Sequence, residues 1–245
     1  MSSVTPGVHS GGVRPAGQMP RAHQPRKATK PIMNTPSDTL VSLTTFDRFC
    51  NTDPSGQFIV ARNAHRMYME EDFGPRIDFW KRFRDTVVLA HAQPDQRDRR
   101  FDALSIDLPD NKRSAYPTAI AGYKKWWGRK DITLIERPAP VPWGPHLIKF
   151  KVNPELVLDI NGELTVAKLY YSKDGNSMTR RNADLITHLL EQTHGTLGTA
   201  MVIDVKKGKG FKARPAKPGI PMTLIAQSAA FSSFWMDLAQ GRMVS

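Results

Sequence analysis

Asn161-Gly162 is the strongest short hairpin signal in the chain, and the runs 156–160 and 163–171 on either side of it read as paired strands. With those two residues as the loop, Glu155 falls opposite Lys168, and directly opposed residues share a sheet face. An acid and a base are thereby set side by side, and the two-residue period brings Asp159 onto the same face. The plain reading of the pair is a cross-strand ion pair worth about 0.2 to 1 kcal/mol.

A second chemistry is written in cations. Between Val205 and Lys217 stand Lys206, Lys207, Lys209, Lys212, Arg214 and Lys217 with no acid among them. Gly208 and Gly210 break this run into a flexible loop whose backbone N–H groups suit phosphate contact. The segment 123–130, Tyr-Lys-Lys-Trp-Trp-Gly-Arg-Lys, interleaves Lys124, Lys125, Arg129 and Lys130 with Tyr123, Trp126 and Trp127. Cations are favoured at a helix C-terminus by its dipole in any case. Binding is the better reading, because two adjacent indoles do not both face one core from a helix. Lys124, Lys125, Arg129, Lys130, Lys206, Lys207 and Lys209 are therefore expected to grip a nucleic-acid backbone, with Trp126 or Trp127 stacking on bases.

The succession helix, strands, acid-bearing hairpin, lysine-bearing strand, helix, strand over residues 114–211 resembles the core of the PD-(D/E)XK nuclease superfamily. Pro154-Glu155 occupies the place of the PD element, and Val166-Ala167-Lys168 the place of (D/E)XK. Arg180 and Arg181, ahead of a helix near Asn182, and the strand 201–205 are similar to elements that follow the motif in CRISPR-associated and RecB-type members, and both arginines are expected to contact nucleic acid. The resemblance implies a restriction-endonuclease-like fold in which Glu155 and Asp159 hold Mg²⁺ and Lys168 supports the attacking water or the developing charge. Here Val166 stands where the second acid belongs, and one carboxylate seldom holds octahedral Mg²⁺ without help. Asp204-Val205-Lys206 is a literal D-x-K, but no Pro-Asp strand precedes it at hairpin distance, so it reads as chance or strand-end polarity. Residues 58–240 are also similar to proteins of high-GC actinobacteria in the stretches GYKKWWGR, VNPELVLDING and AKLYY, a likeness that implies no function.

The elements that must position these residues divide at about residue 131. Before it the pattern is helical. Asp53 can cap and Pro54 begin a helix through Met69; Ile77, Trp80, Phe83, Val87 and Ala90 mark a second; Gln93 to Arg100 reads as a connector. A third helix starts near Ser114 and ends at Gly128. After it the period changes from 3.6 to 2: candidate strands cover 132–136, 148–152, 156–160, 163–171 and 200–205, followed by a basic turn and short strand over 206–211. Helices from about Asn182 and over 224–238 complete an α/β (α+β) core, a helical segment packed on a central mixed sheet flanked by helices. Residues 1–39 read as a disordered basic tail, 40–110 as the helical segment and 111–245 as the nuclease-like core, the last two forming one unit.

The chain of 245 residues carries a net charge of +12, which favours an anionic partner. Cys50 alone supports neither a disulfide framework nor a cysteine-based zinc site, and the seven histidines lack metal-type spacing. Neither an apolar run of spanning length nor a signal-peptide pattern is present, so no membrane span and a cytoplasmic location are expected. The functional expectation is a nucleic-acid-binding protein, DNA before RNA, on a catalytically degenerate nuclease-like core. An active Mg²⁺-dependent nuclease and a non-enzymatic adaptor for an acidic protein are the alternatives.

Overall fold

The computed structural model describes Met1 and residues 39–69, 78–106, 108–171, 178–215 and 217–242, so the basic tail expected over 1–39 lies almost wholly outside the described residues. Every element below belongs to one unit, Met33–Ser245. The chain runs β1 (Leu40–Ser42), α1 (Leu43–Cys50), α2 (Pro54–Met69), α3 (Lys81–Ala92), α4 (Arg97–Ile106) and α5 (Ala115–Trp127). It continues β2 (Ile132–Glu136), β3 (Val141–Trp143), β4 (Lys149–Val152), β5 (Leu156–Ile160), β6 (Glu163–Tyr170), α6 (Arg180–His194), β7 (Thr199–Asp204), β8 (Lys209–Lys212) and α7 (Gly219–Ala239).

Local chemistry accounts for several boundaries. Asp53 Oδ1 accepts the Gly56 N–H at 2.7 Å and Pro54 takes the first position of α2, while Thr179 Oγ1 accepts the Asn182 N–H at 3.2 Å to start α6. Asn161 and Gly162 both have positive φ, 53° and 86°, as the tight hairpin turn requires. The connector expected over 93–100 is instead helical from Arg97. Its buried side chains, Phe101 and Leu104, come late in the sequence and leave the polar first turn without an apolar signal.

Five strands form one sheet in the order β2-β5-β6-β7-β8, antiparallel throughout except for β6 and β7. These two are parallel and joined by the crossover helix α6. The hairpin register is the one the Asn-Gly turn dictates, with Leu156 opposite Ala167 and Ile160 opposite Glu163. β4 departs from the expected single sheet: it pairs with β1 and β3 in a separate three-stranded sheet.

The alternation along β5, β6 and β7 divides the interior in two. Leu156, Leu158, Ala167, Leu169, Met201 and Ile203 pack with residues of α3, α4 and α5. Ala200, Val202 and Phe211 pack with residues of α1, α2, α6 and α7 and the small sheet. The segment 40–110 is therefore not one layer, because α1 and α2 serve one core and α3 and α4 the other. The result is a mixed α/β architecture with helices on both faces of the larger sheet.

Candidate nucleic-acid interface

Glu155 and Lys168 meet at the open end of the β5–β6 hairpin. The Lys168 ammonium donates to Glu155 Oε1 at 2.6 Å and to the Asn153 carbonyl at 2.9 Å, and Glu155 Oε2 accepts the Leu169 N–H at 2.7 Å. The residues are 5% and 7% exposed, so both carboxylate oxygens are satisfied inside the protein rather than offered to a ligand. The pair acts as a pin: the carboxylate takes a backbone N–H that the ladder leaves free beyond Leu156. Burial, reinforced by the Glu155 charge, holds the hydroxyls of Tyr123 and Tyr171 well above the usual tyrosine range.

Asp159 is not brought to this pair. It sits at the turn end, where its Oδ1 accepts the Gly162 N–H at 2.7 Å. Face parity is satisfied but reach is not, since four residues of strand separate the two acids by about 13 Å. Val166 between them is fully buried, and among the described residues no group of three or more His, Cys, Asp or Glu side chains could hold a metal ion. Glu155, Asp159 and Lys168 thus do not fit the Mg²⁺ site that the nuclease resemblance implies, and as placed they perform structural work.

The two cationic stretches, separated by about eighty residues of sequence, are brought into contact. α5 lies against the β7–β8 turn at Gly122, where a Cβ would come within 2.0 Å of the Val205 carbonyl oxygen. Gly208, with φ +64°, sits over the next turn of the helix: a Cβ there would fall 2.6 Å from the Gly122 oxygen and 3.2 Å from the Lys125 Cβ. Lys125 is thereby set beside Lys207 and Lys209, Arg129 follows the end of α5 just after Gly128, and all four are exposed. Lys206 is half-buried at the same turn.

The turn itself is not the flexible loop the glycines suggest. Asp204, 1% exposed, accepts the Lys206 and Lys207 N–H groups on Oδ1 at 3.2 and 3.1 Å, and its carbonyl accepts the Gly208 N–H at 2.9 Å. Those amides are consumed, so side chains and not backbone N–H groups face outward. The sequence signal was present in Asp204-Val-Lys-Lys-Gly208, an Asp followed by a glycine that permits positive φ, the composition of an Asx-type turn.

Other assigned residues take different places. Trp126 and Trp127 are both 4% exposed, because α5 is covered on two sides and each indole enters a different one. The Trp126 Nε1 borders Gly210 of β8, whereas Trp127 stacks on His91 of α3 at 3.8 Å beneath the Arg97 guanidinium. Neither is available to stack on a base. Lys124 is committed to Asp98 and Asp102 of α4 at 3.1 and 3.3 Å. Lys130 folds back over the Trp126 ring and donates to the Trp126 and Trp127 carbonyls, capping the end of α5. Arg180 pairs with Asp184 along α6. Arg181 lies toward α1, where its charge reaches the Cys50 thiol, and so neither arginine joins the α5 surface.

No protein-family model matches this sequence, and no curated protein matches it. Among the described residues no helix is long and apolar enough to cross a membrane.

Proposed function

We propose that the chain binds nucleic acid through its phosphate backbone, using the surface formed by the end of α5 and the β7–β8 turn, and does so without cleaving it. The observation that carries this reading is the contact of Gly122 and Gly208, which brings Lys125 together with Lys207 and Lys209 from two distant stretches, while Arg129 stands exposed just past the end of α5. None of these four has an acid within ion-pairing distance among the described residues, so their charge is left for a partner. The succession α5, β5–β6 hairpin, α6, parallel β7 follows the one that the PD-(D/E)XK resemblance implies and favours a nuclease-like core, with β3 and β4 set apart in the small sheet. The buried Glu155–Lys168 pair and the distant Asp159 favour a core that has kept its scaffold and lost its chemistry.

The test is binding of the purified full chain to a labelled DNA duplex at salt concentrations between about 50 and 200 mM. With these four cations on phosphates, log K is expected to fall against log salt with a slope of roughly −4. Replacing Lys125, Arg129, Lys207 and Lys209 by alanine is expected to abolish binding. Salt-independent affinity, or none, would overturn the reading. Cutting that requires added Mg²⁺ or Mn²⁺ and disappears in Lys168→Ala would replace it with the nuclease.

A further inference from the structure

On the nucleic-acid reading just given, we infer that the surface selects duplex over single-stranded nucleic acid and grips it irrespective of base sequence. Surfaces that hold single strands combine a cationic groove with aromatic platforms, each stacked base contributing about 1 to 3 kcal/mol. This surface has the cations and lacks the platforms. Tyr123, Trp126, Trp127 and Phe211, the aromatic side chains of the two stretches, are 0%, 4%, 4% and 6% exposed, and no aromatic residue among those described is exposed. A single strand laid across Lys125, Arg129, Lys207 and Lys209 would find charge alone, and it would lose the conformational freedom that stacking elsewhere offsets.

A duplex meets the same surface differently. Its phosphates are already ordered and carry twice the linear charge of one strand, so little freedom is lost and more counterions are released per contact. The surface is ordered to match. Asp204 holds the Lys206 and Lys207 amides, and β8 pairs Lys209 with Asp204. The close approach of Gly208 to Gly122 fixes the turn against the helix that carries Lys125. Cations mounted on such a frame keep constant separations, which suits a regular backbone better than a flexible one. The exposed side chains are lysines and one arginine, groups that contact phosphate without reading base identity unless inserted into a groove.

The experiment compares, at one salt concentration, the affinity of the full chain for a labelled DNA duplex, for each of its separated strands, for an RNA duplex of the same sequence and for a DNA duplex of scrambled sequence. The expected result is a duplex affinity about tenfold or more above either strand, with the two DNA duplexes equal within about twofold. Comparable binding of the RNA duplex supports backbone recognition common to both helices. A much weaker RNA duplex, with the DNA preference intact, supports the inference for DNA. Single strands that bind as tightly as the duplex overturn the inference and leave the nucleic-acid reading standing, as does a strong dependence on sequence. Failure of all four probes removes that reading and the inference with it. The Gly208→Ala variant adds an independent measure, since it leaves the charge unchanged and displaces the turn: the duplex preference is expected to shrink toward single-strand affinity.

Discussion

Asp204 and Lys207 are joined through the main chain, the buried carboxylate accepting the lysine's backbone N–H at 3.1 Å while the lysine itself is exposed. The other carboxylate oxygen takes the Met178 N–H at 3.0 Å, so one acid anchors both the cationic turn and the approach to α6. Coulomb's law alone says that removing this negative charge strengthens attraction for a polyanion. Positioning says the reverse. For Asp204→Asn the expected outcome is a fall in duplex affinity of about three- to tenfold, although the chain gains a unit of positive charge. An increase in affinity, measured by the same titration, would show that the turn needs no anchor. The amide cannot accept three N–H groups as the carboxylate does, so a loss of about 1 to 3 kcal/mol in stability accompanies the change.

The Glu155–Lys168 pair makes a separate prediction about stability. Removing only the ammonium leaves a carboxylate buried without its counter-charge, so Lys168→Met is expected to cost about 3 to 5 kcal/mol in urea unfolding. Replacing both partners, as Glu155→Gln with Lys168→Met, keeps an oxygen for the Leu169 N–H and removes both charges. The double variant is expected to recover most of the loss and to bind nucleic acid as the parent does. If the two changes are additive, the pair is not coupled and the 2.6 Å contact contributes little.

How much of this was legible in the sequence depends on the range of the interaction involved. The hairpin was, down to the pairing of Glu155 with Lys168, because a two-residue Asn-Gly turn fixes register locally. Parity along a strand is equally local and placed Asp159 on the correct face, but parity carries no distance, and the turn captured the carboxylate. The burial of both Trp126 and Trp127 was not legible. It depends on α5 being enclosed by the sheet on one side and by α3 and α4 on the other, and α4 itself has a polar opening turn that hides it. Likewise the sequence contains both cationic stretches but nothing that joins them; the junction is a steric one, at Gly122 and Gly208, between elements far apart in the chain.

Asp47 ties stability to pH on the alkaline side. It lies on α1 in a tight apolar crevice lined by Phe46, Leu185, Ile186 and Leu224, and burial pushes its carboxyl up to about 7 against a partial offset from the Asn51 side chain. The folded protein therefore keeps a proton that the unfolded chain gives up near pH 4. The stability this group contributes is complete below pH 4 and is lost as pH rises to 7, by about 4 kcal/mol at most. Asp47→Asn, which cannot ionise, is expected to melt higher than the parent at pH 8 and equally near pH 4. Equal melting temperatures at pH 8 would mean that the carboxylate finds water or the Arg181 guanidinium when it ionises.

His91 sets the opposite limit. Its ring stacks on Trp127, its Nε2 meets the Tyr123 hydroxyl at 2.7 Å, and burial together with the charge of Arg97 pushes its pKa down to about 3. Folded, the imidazole stays neutral; unfolded, it takes a proton below about pH 6.5. The unfolded state therefore binds more protons between those values, and stability falls as pH drops from 6.5 toward 3, by up to about 5 kcal/mol. His91→Gln retains a polar partner for Tyr123 and has no charge to gain. The variant is expected to be less stable than the parent at pH 8, where it has lost the stacked ring, and the gap is expected to close or reverse by pH 4. Melting curves of the two proteins across that range decide the matter, because carboxylates common to both cancel in the difference. A gap that stays constant with pH would mean that the imidazole is protonated in place, with the α3–α5 contact opening to admit water.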